Sequence, residues 1–396
     1  MRADTGSVIT TVEPVPLPVS RLAVIGVGLI GGSIAHRASI EGWEVTVVDP
    51  DLDLVHGSSL WRVERTAAMA VRHADVVVIA TPVDAVDVIA EEIAAHVPAG
   101  ALVTDVASVK QGPVERAARI LSEAGVVYVS GHPMAGRAHS GLAHADYRLF
   151  ETATWLVTGD PTASPVRRLC AFARSLGATR VLAMDVAAHD ALVALISHVP
   201  QLVVDALAAG VGESASFESA VELAGTGWRD TTRIASSPWE TWEPIVRLNR
   251  AAIIQPLQRV HEELGRLLHA LHTDDTEALA PVFERAIRAR EYYEAVRTAP
   301  IARQVALARS ENVWWDRSLG YRTLRTSAPT APAHARLALA FLAAQTGHPV
   351  EGEMDPDVPY AAEIARVLAL PYAETYTADG LLVRGVIIDQ ELVVLP

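Results

Sequence analysis

A glycine-rich turn, Gly26-Val27-Gly28-Leu29-Ile30-Gly31, stands between a short apolar run (Arg21–Gly26) and a helical one that continues to about Glu41. Glycines so spaced between strand and helix let the backbone approach a pyrophosphate at the helix N-terminus, where unpaired N–H groups and the dipole favour anions. The bare spacing is a weak signal. Context strengthens it, because Asp49 ends the next β-branched alternating run, Glu44–Asp49. A carboxylate there accepts from both ribose hydroxyls and repels a 2′-phosphate, so the pattern predicts NAD rather than NADP as cofactor. The predicted cofactor-binding residues are Gly26, Gly28, Leu29, Ile30, Gly31 and Asp49, joined by Thr81 and Pro82 after the third strand.

Strand and helix continue to alternate. Ala74–Ala80 is an unbroken apolar run, as in a strand buried on both faces, and Leu102–Asp105 and Val126–Ser130 follow, separated by helical stretches at Val83–His96 and Val109–Ala124. This predicts an α/β, Rossmann-type doubly wound parallel sheet over residues 21–160, after a disordered leader at 1–20. Long alanine-rich amphipathic segments then take over: Ser164–Leu176, Val186–Val211, Thr241–Leu271 and Thr276–Arg297. They predict a mostly helical second domain over 161–325. Thr326–Ala333 reads as a linker into a small C-terminal extension, 326–396, of unassigned role, ending in strands Leu381–Ile388 and Glu391–Leu395.

Bulk properties narrow the partners. A net charge of −14 argues against a nucleic-acid surface, but leaves room for a small anionic substrate met by a few local arginines. The single cysteine, Cys170, forms no intrachain disulfide and fits a cytoplasmic protein as a small buried residue. The leader lacks a basic and an apolar region, so it does not read as a signal peptide, and no apolar run is expected to span a bilayer.

The candidate chemistry begins at Gly131-His132-Pro133-Met134-Ala135-Gly136, just after the fifth strand. An imidazole beside a nicotinamide can accept a proton from a carbinol as hydride leaves; the bland alternative is a hydrogen-bonded loop histidine. Ser108, after the fourth strand, is either part of the site or the cap of the next helix. His139 and His144 match no metal-ligand spacing, and no metal is expected. His189 and His198 would lie on opposite faces of a regular helix unless Pro200 bends it. For His198 a core role and a functional one both stand. Arg233 is either a carboxylate clamp or a structural ion-pair partner. Ser237-Pro238-Trp239 is a helix start, and Trp239 and Trp242 are most simply core.

Together these motifs resemble the prephenate/arogenate dehydrogenase family of tyrosine biosynthesis, over roughly two thirds of the chain, from about Arg21 to about Arg297. The likeness rests on the glycine turn, Asp105–Lys110, Gly131–Gly136, His189-Asp190 with Ser197–Pro200, and Asp230–Ala235. It implies NAD as cofactor and His132 as acceptor of the ring C4 hydroxyl, assisted by Ser108. It further implies Arg233 on the ring carboxylate, with His198, Gln201, Ser237 and Trp242 near the substrate, and a homodimer formed through the helical domain. Prephenate users of the family often read Ser-His-Leu-Pro-His where this chain reads Ser197-His198-Val199-Pro200-Gln201. Gln201 therefore leaves arogenate, or an amino-substituted prephenate, as alternatives to prephenate. A non-catalytic NAD-binding regulator is the reading from another class; it has no need of His132, Ser108 and Arg233 together.

Overall fold

The computed structural model describes residues 9–17, 19–51, 60–136, 140–151 and 153–293, and five strands beyond residue 313. The chain divides into two units, Met1–Leu264 and Gly265–Pro396.

In the first unit, β2 (Arg21–Ile25), β3 (Glu44–Val48), β4 (Arg62–Val63), β5 (Val76–Ile79), β6 (Leu102–Asp105) and β7 (Val127–Tyr128) form a six-stranded sheet. Its order is β4-β3-β2-β5-β6-β7 and every pairing is parallel. The chain starts in the middle, winds to one edge and then to the other, which leaves a crevice where the order reverses beside β2. Alternate residues of each central strand feed two cores. Leu22, Val24, Val76 and Val78 enter one, Ala23, Ile25, Val77 and Ile79 the other. Burial on both faces is why these strands read as unbroken apolar runs.

A second sheet, order β1-β10-β9-β8, is built from β1 (Thr10–Thr11), β8 (Gly131–Pro133), β9 (Thr154–Thr158) and β10 (Arg180–Met184). It packs Trp155, Val157, Val181 and Ala183 into the first of the two cores. Two expectations change here. Part of the supposed leader is ordered: Thr10 pairs with Ala183 in antiparallel register, and Val12 is fully buried. The α/β region also runs past residue 160, to Met184, because helix Ser164–Ser175 connects two parallel strands of this sheet. The first was not legible from periodicity, since β1 has two residues.

Beyond Met184 the first unit is helical. Val186–Val193, a π turn at Ala194–His198 and Val199–Gly212 run without a break. This stretch of 27 residues is, contrary to expectation, long and apolar enough by length and composition to cross a bilayer. Shorter helices follow, Phe217–Glu222, Thr226–Thr232 and Trp239–Leu248, and then Arg250–His272, within which the two units divide.

In the second unit, helix covers residues 280–293. Five strands, β11 (Trp314–Asp316), β12 (Arg322–Arg325), β13 (Tyr372–Tyr376), β14 (Leu382–Ile388) and β15 (Glu391–Val394), form a sheet of order β11-β12-β15-β14-β13. The hairpin of β14 and β15 is the expected one. β11 and β12 fall in the stretch assigned to the helical domain. The predicted linker Thr326–Ala333, leader residues 1–8 and His139 lie outside the described residues.

Candidate active site

The glycine turn closes as its spacing requires. Gly26 has φ +92°, and a Cβ there would stand 2.6 Å from the Ala80 carbonyl oxygen. A Cβ on Gly31 would stand 2.0 Å from the Gly26 carbonyl oxygen. Gly28, by contrast, meets nothing within 4 Å and is the N-cap of helix Leu29–Ile40, with no side chain capping it. The first backbone N–H groups of that helix, at Leu29 and Ile30, therefore have room in front of them. Asp49 follows β3, and its Oδ2 accepts from the Val27 N–H at 2.7 Å, tying the carboxylate to the glycine turn. Thr81 follows β5, and its Oγ1 is buried without a partner among the described residues, with Pro82 exposed beside it. Open backbone donors, a fixed carboxylate and an unsatisfied hydroxyl at the carboxyl edge of the sheet fit a dinucleotide.

His132 lies within a strand rather than a loop. β8 pairs with β9, setting His132 opposite Leu156. The glycine before it is needed for space, since a Cβ at Gly131 would stand 2.8 Å from Trp155 Nε1. The Gly131 carbonyl accepts from Lys110 Nζ at 2.6 Å, and the same ammonium donates to Asp105 Oδ1 at 2.6 Å. Tyr128 donates its hydroxyl to Asp105 Oδ2 at 2.6 Å. A fully buried lysine, a carboxylate and a phenol thus tie the ends of β6, β7 and β8 together. Burial pulls the Lys110 ammonium below the usual lysine range, against the opposing charge of Asp105.

Ser108 does not cap the next helix. That helix is Pro113–Glu123, begun by Gly112 with Glu115 reaching back to its N–H. The Ser108 hydroxyl is half-buried, with no hydrogen-bond partner among the described residues. His132 is 9% exposed, and its Nδ1 lies 3.0 Å from His189 Nε2. Burial, then the neighbouring His189, Lys110 and His198, push the His132 pKa well below the usual histidine range, so the imidazole is neutral at pH 7.

The π turn explains how His198 comes to this side of its helix. Nine residues of regular helix put His189 and His198 on opposite faces; a π turn takes up one extra residue, rotating the helix beyond it back by about 100°. Both side chains are fully buried, and Asn249 bridges the two segments, its Nδ2 donating to the Asp190 carbonyl at 2.9 Å and to His198 Nδ1 at 3.0 Å. His198 Nδ1 is therefore the acceptor, and its Nε2–H is left buried without a partner among the described residues. Burial lowers its pKa to about 4. Trp242 packs edge-on against His198, ring centroids 5.9 Å apart. Trp239, expected in the core, is 62% exposed.

Gln201 and Arg233 belong to one local arrangement. Gln201 is buried, and its Nε2 donates to Asp205 Oδ1 at 3.0 Å and to the Ile234 carbonyl at 2.9 Å. Its amide donors thus hold the turn Arg233–Ser236 from within its own helix. Arg233 is exposed and has no carboxylate partner among the described residues, so the ion-pair alternative finds no support. Ser237, half-buried, ends this turn before helix Trp239–Leu248. Asn249 and Tyr128 were not found by sequence reasoning. Neither sits in a recognisable motif, and only the packing of distant segments gives them partners.

Residues 51–181 match the family described as prephenate dehydrogenase, nucleotide-binding domain, and residues 185–285 match the prephenate dehydrogenase dimerization domain, together more than half of the chain. The chain is 32% identical over 275 residues to a prephenate dehydrogenase of Bacillus subtilis, covering 67% of this chain and 74% of that protein. The chain belongs to the prephenate dehydrogenase family. Among solved structures it is similar to a Synechocystis arogenate dehydrogenase, at 26% identity and TM-score 0.57, covering 69% of this chain and 99% of that one. It shares its fold with a prephenate dehydrogenase of A. aeolicus, at 22% identity and TM-score 0.62, covering 70% and 100%. The boundary between the two family domains, between residues 181 and 185, falls at the end of β10. The first family match begins after the glycine turn, which the parallel sheet itself places in the nucleotide-binding domain. The protein is an NAD-dependent dehydrogenase of this family.

Proposed function

We propose that this protein catalyses the oxidative decarboxylation of prephenate to 4-hydroxyphenylpyruvate, a step of tyrosine biosynthesis. The observation that carries this reading is the buried, neutral His132 imidazole at the carboxyl edge of a dinucleotide-binding sheet. NAD, held by the Gly26–Gly31 turn and Asp49, supplies the acceptor for hydride from ring C4. His132 takes the proton of the C4 hydroxyl, with Ser108 as a second polar contact to that oxygen. Loss of carbon dioxide makes the ring aromatic, and His132 returns the proton to the phenolic oxygen. Charge and protons then balance, with no net proton released. Arg233 holds the ring carboxylate, and the buried His198 Nε2–H offers a further donor to the substrate. Gln201 acts by positioning the Arg233 turn.

The family's dimerization domain covers Val186–Gly212, where Leu195, Ile196, Leu207 and Val211 are exposed. We read that apolar stretch as interface between two copies, not as a membrane span. Its Asp190 and His189 are fully buried in the site, which suits a soluble homodimer. The buried, free Cys170 fits the cytoplasm.

Purified protein given NAD and prephenate is expected to form NADH. Arg233→Lys keeps the charge but loses the planar fork, so its KM for prephenate is expected to rise by about tenfold, with the KM for NAD unchanged. An unchanged prephenate KM would remove Arg233 from the site. A larger kcat/KM on arogenate would move the substrate assignment to that compound.

A further inference from the structure

The pair His189-Asp190 has no task in the chemistry above, yet it is fully buried directly behind His132. Asp190 Oδ1 lies 2.8 Å from His189 Nδ1, and His189 Nε2 lies 3.0 Å from His132 Nδ1. The carboxylate is fixed independently by backbone donors, Lys110 N–H to Oδ1 at 2.9 Å and Gln111 N–H to Oδ2 at 3.0 Å. These contacts determine where the protons sit. A carboxylate only accepts, so His189 Nδ1 carries the hydrogen and His189 Nε2 presents a lone pair. His132 Nδ1 must then donate to it, which leaves the lone pair of His132 on Nε2. That nitrogen has no hydrogen-bond partner among the described residues.

We propose that His189 and Asp190 are positioning residues that act through His132, holding it in the Nδ1–H tautomer so that Nε2 is the base, and supporting the imidazolium that forms when it takes the substrate proton. The proposal rests on His132 being the base of the proposed reaction. The same arrangement of a buried carboxylate behind an imidazole fixes tautomer and orientation in Ser-His-Asp triads, here with a second imidazole interposed. The charged and titratable groups facing the two rings are Asp105 at the end of β6, Lys110 from the segment after it, and Asp190 and His198 from the helix. Lys110 is already engaged by Asp105 and the Gly131 carbonyl, which leaves Asp190 as the anion bonded to the pair. Burial lowers the pKa of all three histidines, so the imidazoles are neutral before the reaction.

Asp190→Asn tests this. With the amide oxygen on the Gln111 N–H, the NH2 group takes the place of Oδ1, gives up the Lys110 N–H bond and faces His189 Nδ1; both rings invert, and His132 Nε2 becomes a donor. The expected result is a kcat lower by about 10²–10⁴-fold, with KM for NAD and substrate within about threefold of wild type. In ¹⁵N-histidine spectra, with His132 assigned through His132→Asn, the wild type is expected to show His132 protonated at Nδ1 and the variant at Nε2. His189→Asn keeps both backbone bonds of Asp190, and serves if Asp190→Asn does not fold. It is expected to lose about 10²-fold in kcat with a His132 signal averaged between tautomers. A wild-type His132 protonated at Nε2 overturns the proposal. So does an unchanged kcat in the variants, or a kcat loss with the His132 tautomer unmoved. If instead the tautomer is as described but His132→Asn retains full turnover, the proposal and the assignment of His132 as base fall together. Absence of NADH formation by the wild type would count against the proposed reaction alone.

Discussion

His132→Asn is expected to lower kcat by about 10²–10⁴-fold while the protein still folds and binds NAD, because the general base is lost and the cofactor cradle is untouched. The pH profile carries a second expectation. Only the neutral imidazole accepts a proton, and burial with its cationic and imidazole neighbours depresses the His132 pKa. The group is therefore neutral at pH 7, and activity is lost only as the pH falls through that depressed value. The acid limb of kcat should lie well below the pH of about 6 to 7 that a solvated histidine would give, and it should be absent from the residual activity of the variant. A limb at the solvated position, or one that survives in His132→Asn, would assign it to another group.

Gly31→Ala is expected to abolish cofactor binding. An added Cβ would stand 2.0 Å from the Gly26 carbonyl oxygen and 2.9 Å from Ala80 Cβ, so backbone, not a flexible side-chain end, would have to move. The turn and the helix start would separate, and affinity for NAD should fall by at least about 100-fold, the upper end of what overpacking costs. Gly28→Ala is the control, since a Cβ there meets no protein atom within 4 Å. It should unfold at the wild-type temperature yet bind NAD more weakly, because the methyl occupies the approach to the helix N-terminus. Calorimetric titration with NAD measures both. A Gly31→Ala protein within twofold of wild type would show that the turn does not hold the dinucleotide.

The parallel sheet was legible because its strands are buried on both faces and its glycine turn has one geometric solution. Leu102–Asp105 was found to the residue, and the other central strands to within two. What the sequence hid depends on contacts between distant segments. β8 has three residues and no periodicity of its own, so His132 read as a loop residue until β9 paired with it. The π turn has no local signature beyond Pro200, yet it decides that His198 faces Asn249 and not solvent. The Gln201 Nε2 donates to Asp205 and to the Ile234 carbonyl, the latter 33 residues away and without a signal in the local pattern. Lys110 sits in a polar-looking segment and is fully buried, a placement that only the convergence of Asp105 and the Gly131 carbonyl makes affordable.

The central claim is that one protein couples hydride transfer to loss of the ring carboxylate. Its most direct test is the stoichiometry of a single reaction: prephenate labelled at the ring carboxylate is incubated with the protein and NAD, and NADH, labelled carbon dioxide and 4-hydroxyphenylpyruvate are measured together. The expected result is equal amounts of all three. NADH without labelled carbon dioxide, or carbon dioxide released without NADH, would contradict it.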